Sequence, residues 1–184
     1  MAVHIALHEV GASFEGRPMS FRSGDLRTEA FRKVNAEGKV PTLLVDGRPL
    51  TEVAGCLFYL ARRYPAANLL PQDEEGQARA VSWMSFIAST LHPARQKGLE
   101  HVKRVWSIAQ QRLEDIKGDG EWMLGRYSIA DIHLFRLWWR VAGSLKPERV
   151  EFPRLYAHYD RMMQRPAVKR TIEAESKIGY ELPA

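Results

Sequence analysis

A chain of 184 residues (21.0 kDa), 45% hydrophobic and 27% charged, has room for one ordinary domain or two small ones around a real core. Its formal charge of +5 is spread thinly, nine Lys/Arg against seven Asp/Glu before residue 65 and eighteen against fifteen after residue 72. With no basic block, a nucleic-acid partner is not expected, and with no 18-residue uncharged apolar run, neither is a membrane span. The single cysteine, Cys56, excludes an internal disulfide or a Cys-x-x-Cys redox or zinc pair, and the opening residues lack the basic start of a secretory signal, so a cytoplasmic setting is expected.

The first 64 residues are punctuated by Gly and Pro. Ala2 to Val10 reads as a helix closing on Gly11. A short extended piece is expected at Pro18–Phe21, then a helix from Leu26 to Val34 capped by Asp25. Val40-Pro-Thr-Leu-Leu-Val45 reads as a strand, Asp46-Gly47 as a hairpin turn and Arg48–Leu50 as the return. A helix from Glu52 to Arg63 follows. The segment Tyr64-Pro-Ala-Ala-Asn-Leu-Leu-Pro71, with a proline near each end, marks a domain boundary between 1–64 and 73–184.

Beyond it the pattern is helical and holds all five tryptophans. Asp73 to Leu91 places Val81, Met84, Ala88 and Leu91 on one stripe and Trp83, Ile87 and Thr90 beside it, which predicts burial on more than one side. Pro93 ends or bends that helix. Leu99 to Ile116 is a second amphipathic helix, stopped by Gly118-Asp-Gly120. Ser128-Ile-Ala-Asp131 forms a capping box, with Tyr127 and Ile132 placed as a hydrophobic staple. The following Ile132-His-Leu-Phe-Arg-Leu-Trp-Trp is apolar almost all round and predicts a central helix. Pro153 and Pro166 each sit where a first-turn proline opens a helix.

Three of these segments carry a resemblance. Val40-Pro41, Asp46-Gly47 and Leu50-Thr-Glu52 leading to Tyr59-Leu-Ala-Arg resemble the glutathione-binding half of cytosolic glutathione transferases. Tyr127-Ser-Ile-Ala-Asp131 is similar to the capping motif of the family's helical domain, and Trp83-Met-Ser-Phe-Ile-Ala-Ser-Thr-Leu-His92 to the first bundle helix of its bacterial beta class. The resemblance implies an α/β thioredoxin-like domain followed by an all-α helical bundle. It also implies glutathione as co-substrate without a metal, a small hydrophobic electrophile as second substrate, and a homodimer.

By that resemblance Pro41 is cis, and Val40 offers its backbone N–H and C=O to the cysteinyl part of glutathione as an added strand. Glu52 and Val53 open a helix whose free amides hold the γ-glutamyl carboxylate, with Glu52 toward the ligand's ammonium. Many family members carry serine where Val53 stands, although beta-class members often do not. His92 falls where the beta class places a histidine facing the ligand and is a tentative catalytic residue. Each has a plainer role available: Pro41 in any thioredoxin-like fold, Glu52 as a first-turn acid, His92 as a helix-end cap. Cys56 reads as a small buried hydrophobe, Asp131 as structural, and Trp138-Trp139 as core.

The family's first strand and the loop with its thiol-activating Tyr, Ser or Cys have no counterpart here, because the sequence opens at the helix that follows them. That leaves the strands near Pro18–Phe21 and Thr42–Val45 without the partner between them, so an upstream start, a rearranged sheet or a substitute segment is expected. Impaired conjugation follows, with a non-catalytic ligand-binding or scaffold protein of the same fold as the alternative.

Overall fold

The computed structural model describes residues 1–116 and 120–180. The chain opens with α1 (Ala2–Glu9), then α2 (Glu29–Val34), β1 (Thr42–Val45), β2 (Arg48–Thr51) and α3 (Val53–Arg63). A helical half follows: α4 (Glu74–Phe86), a π-turn at Ile87–Leu91, the short α5 (His92–Ala94), α6 (Leu99–Glu114), α7 (Ile129–Ser144), α8 (Pro153–Gln164) and α9 (Pro166–Ile178). This is the expected α/β half followed by a helical one. No helix among the described residues is long and apolar enough to cross a membrane.

The sheet is reduced to a hairpin. β1 and β2 pair antiparallel in the register Thr42↔Thr51 to Val45↔Arg48, and among the described residues no other strand joins them. Asp46 (φ 50°) and Gly47 (φ 76°) make the turn, both left-handed as a two-residue hairpin connection requires. The extended piece expected at Pro18–Phe21 is not a strand: Phe21 begins a turn, and among the described residues the segment pairs with no strand.

Local competition moved one helix start. Asp25 does not cap α2, because its carboxylate accepts the Ser20 amide at 2.8 Å. A short 3₁₀ turn at Asp25–Arg27 intervenes, and Thr28 caps α2 by accepting from the Phe31 amide at 3.2 Å. In the first bundle helix Asp73 is the cap, its side chain accepting the Gly76 amide at 2.7 Å. Pro93 does not stop that helix. Proline lacks the N–H that would bond the carbonyl four residues back, and the widened turn at Ile87–Leu91 carries the path on to His92. The buried face there is Ala80, Trp83, Met84, Ile87 and Leu91, whereas Val81 (55% exposed) and Ala88 face outward, contrary to the stripe expected from spacing. Of the expected stop after α6, Gly118 and Asp119 lie outside the described residues.

The capping box at Ser128 is complete, and α7 is the central helix, buried from Ile129 through Phe135. Asp131 is fully buried and accepts from Ser128 N at 2.9 Å, Ser128 Oγ at 2.8 Å and Met123 N at 3.0 Å, with His158 Nε2 at 3.1 Å. One apolar core joins Ile5, Ala6 and Leu57 of the first half to Ile132, Phe135, Met162 and Val168 of the second. A polar clamp lies at the same seam. Arg165 grips Glu9 with two hydrogen bonds of 2.7 and 2.9 Å, Tyr127 donates to Glu9 at 3.0 Å, and the guanidinium lies 3.4 Å from the Tyr127 ring centre.

Candidate functional site

The hairpin register assembles the candidate site. Because Thr42 pairs with Thr51, the residues just outside that rung, Pro41 and Glu52, sit side by side at the same end of the ladder. The Val40–Pro41 peptide is cis. Val40 is 40% exposed, and neither its amide nor its carbonyl is hydrogen-bonded among the described residues. Asn35, nearly buried, holds the approach to it: its side chain donates to Lys39 O at 2.8 Å and to Thr42 Oγ1 at 3.1 Å, and accepts from Glu37 N at 3.0 Å. Gly38 adopts φ 61°, and a Cβ there would stand 2.8 Å from the Leu26 carbonyl oxygen, so the chain reaches Lys39 through a gap only glycine fits.

Across the rung, Glu52 precedes α3 in the left-handed region (φ 61°, ψ 129°), a backbone state a non-glycine residue adopts at a cost of about 1–3 kcal/mol. Its carbonyl accepts the Cys56 amide at 3.0 Å, while its side chain caps nothing and projects to solvent. Among the described residues the amides of Val53 and Ala54 thereby have no acceptor and stand as donors at the positive end of the helix dipole. An extended peptide with a carboxylate at one end fits this pairing of an open backbone edge and an anion-seeking helix start.

Cys56 takes no part. It is fully buried, its Sγ lies 3.4 Å from the Leu50 carbonyl, and burial pushes its thiol up to about 11, so it stays protonated.

His92 follows the π-turn with its side chain exposed. Its imidazole is held below the ordinary range by partial desolvation first, and then by the positive charges of Arg136, Arg140 and Lys39. Lys39 immediately precedes Val40, so the histidine's electrostatic surroundings reach from the cis-proline loop to α7. On α7, His133 is buried and kept neutral, pulled down to about 3 by burial and then by Arg136 and His92. Burial also lowers the Arg136 guanidinium to about 10, with Arg140 adding to the effect.

The structure thus brings Val40, Pro41, Glu52 and Val53 together at one end of the hairpin and surrounds His92 with cations. The three α7 residues escaped sequence reading because they sit inside a run that looks apolar. The available signal was their spacing: His133, Arg136 and Arg140 fall on one helical stripe. Among the described residues no group of three or more His, Cys, Asp or Glu side chains is placed to hold a metal ion.

Known proteins resemble the chain over most of its length. Residues 1–63 match the family model of the glutathione S-transferase N-terminal domain, and residues 69–166 that of the C-terminal domain. The glutathione S-transferase GstA of Escherichia coli O157:H7 is 31% identical, the alignment covering 95% of this chain and 93% of that protein. A sphingomonad glutathione S-transferase solved in complex with glutathione superposes with a TM-score of 0.81 at 31% identity, covering 95% of this chain and 93% of the other. The bacterial beta-class enzyme of Sphingomonas chungbukensis gives 0.76 at 31% identity, covering 94% and 92%. With family models matched on both halves and relatives of this identity aligned over nearly their whole length, the chain belongs to the glutathione S-transferase family.

Proposed function

We propose that this chain binds glutathione in extended form along Val40 and joins its sulfur to a small hydrophobic electrophile. The observation that carries this reading is the free backbone pair of Val40, set beside the free amides that open α3. In this reading Val40 pairs with the cysteinyl unit, and Pro41 fixes the direction of the loop. The Val53 amide holds the γ-glutamyl carboxylate, and Glu52 receives the ammonium. His92, neutral near pH 7, lies on the sulfur side as hydrogen-bond acceptor, and the surrounding cations favour the thiolate.

Residues 1–64 then act as the glutathione-binding domain and 73–184 as the domain that walls the electrophile. The apolar Val81 on the outer face of α4 supports a homodimer through that helix, and the lone protonated thiol is in keeping with a cytoplasmic setting.

A second reading, a non-catalytic ligand-binding or scaffold member, is favoured by the weakness of a neutral imidazole as the group nearest the sulfur. Titration calorimetry with glutathione tests the first. Binding is expected, weakened about 10-fold by Glu52→Gln through loss of one charge-assisted contact. The absence of any heat with the unaltered chain sinks the proposal. Binding without turnover of any aromatic electrophile, neutral or carboxylate-bearing, selects the second reading.

A further inference from the structure

One face of α7 carries cationic groups to which no residue has been assigned above as a partner. His133, Arg136 and Arg140 stand at positions i, i+3 and i+7, hence on one stripe. His133 is 3% exposed, and among the described residues its Nδ1 has no hydrogen-bond partner and neither has the enclosed Nε of Arg140. Arg136 is half-buried, and among the described residues no carboxylate lies within ion-pair distance of either arginine. The acid whose field reaches Arg136 is Glu175, but its Oε1 is already taken by the Met1 amino group at 2.6 Å and by His4 at 3.2 Å. From the facing elements come His92, Lys39 and, beside Arg140, Arg95, all basic. Lys39 alone of these has an acidic neighbour, an exposed pair with Glu37 at 3.3 Å.

Half-buried guanidinium groups without a counter-charge are costly, and their planar donors match a carboxylate. A wall meant for a neutral hydrophobic molecule would gain nothing from them.

We propose that this stripe receives a carboxylate on the second substrate, so that the electrophile is an aromatic or aliphatic molecule bearing a carboxylate rather than a neutral one. The inference rests on the glutathione site at Val40, since it places the second substrate between that site and α7. Arg136 is the principal anchor, Arg140 and His133 complete the recess, and no bond is made or broken at these residues.

The test separates the two ideas by using an unreactive pair of ligands, 3-nitrobenzoate and its methyl ester, titrated into the full chain with and without saturating glutathione. The acid is expected to bind at least ~10-fold more tightly than the ester, by the strength of hydrogen bonds to a charged group. That preference is expected to fall below ~2-fold in Arg136→Met and to be largely kept in Arg136→Lys, which retains the charge. Circular dichroism establishes that both variants fold. Equal binding of acid and ester, or a preference untouched by Arg136→Met, overturns the proposal. So does displacement of the acid by glutathione, because the stripe would then belong to the first substrate. Absence of heat with glutathione alone removes the reading of the Val40 site, and a preference for the acid that survives it leaves the anion recess standing.

Discussion

Replacing Asp131 by alanine is expected to cost about 4 kcal/mol of stability. The carboxylate is fully buried and meets four donors, two on each oxygen: Ser128 N and Oγ on Oδ2, Met123 N and His158 Nε2 on Oδ1. The Ser128 hydroxyl can rotate to another acceptor, which leaves three fixed donors facing a void. Each unsatisfied buried donor costs ~1–3 kcal/mol, and removing one member of a buried charged network ~3–5 kcal/mol, so about 4 kcal/mol is a restrained value after local relaxation. For a chain of this length each kcal/mol moves the melting temperature by ~2–4 °C, giving a fall of ~8–16 °C. Asp131→Asn keeps the shape and one acceptor oxygen, and its amide can donate to Ser128 Oγ. It should fall between, near 2 kcal/mol, mainly for the lost Ser128 backbone bond. Thermal and urea unfolding followed by circular dichroism measure both. A shift in Asp131→Ala smaller than ~3 °C would show that the box is replaceable and refute the accounting.

Acid sensitivity is expected through His133. Its native imidazole titrates near 3 because of burial, whereas in the unfolded chain it titrates near ~6.5, so between these values the unfolded state binds the extra proton and stability falls as pH falls. Going from pH 7 to pH 5 this one group removes about 2 kcal/mol, a difference that His133→Phe should abolish in parallel urea titrations; an unchanged slope would refute it. Glu52→Gly should relieve the left-handed backbone and raise the melting temperature by ~2–4 °C while weakening glutathione binding, and a lowered melting temperature would mean that Glu52 carries no strain.

Features that depend on neighbours in sequence could be read directly. The Asp46-Gly47 turn, the Ser128–Asp131 box and the two first-turn prolines at 153 and 166 each need only a few consecutive residues, and each is found. Where a side chain had a rival partner, reading failed: Asp25 was a good cap on paper, but the Ser20 amide claimed it. The face of α4 was misjudged because spacing of 3.6 does not say which of two adjacent apolar stripes meets the core, and Val81 lost to Trp83 and Ile87. Of the candidate site, Val40, Pro41, Glu52 and Val53 were visible as a motif around a hairpin. The cationic stripe of α7 was not, since His133, Arg136 and Arg140 interrupt a largely apolar run while Lys39 and His92 come from distant segments, and its signature is two ring and guanidinium nitrogens, His133 Nδ1 and Arg140 Nε, with no partner among the described residues.

The shared apolar core has a practical consequence. Ile5, Ala6 and Leu57 have no exposed surface, and they lie in one cluster with Phe135, Met162 and Val168, so excising residues 1–64 would strip a hydrophobic flank from both fragments. Neither piece should be obtainable alone without precipitating. A chimera grafting the opening segment of one relative onto the helices of another would have to keep this seam matched in volume as well as the Glu9–Arg165–Tyr127 clamp beside it.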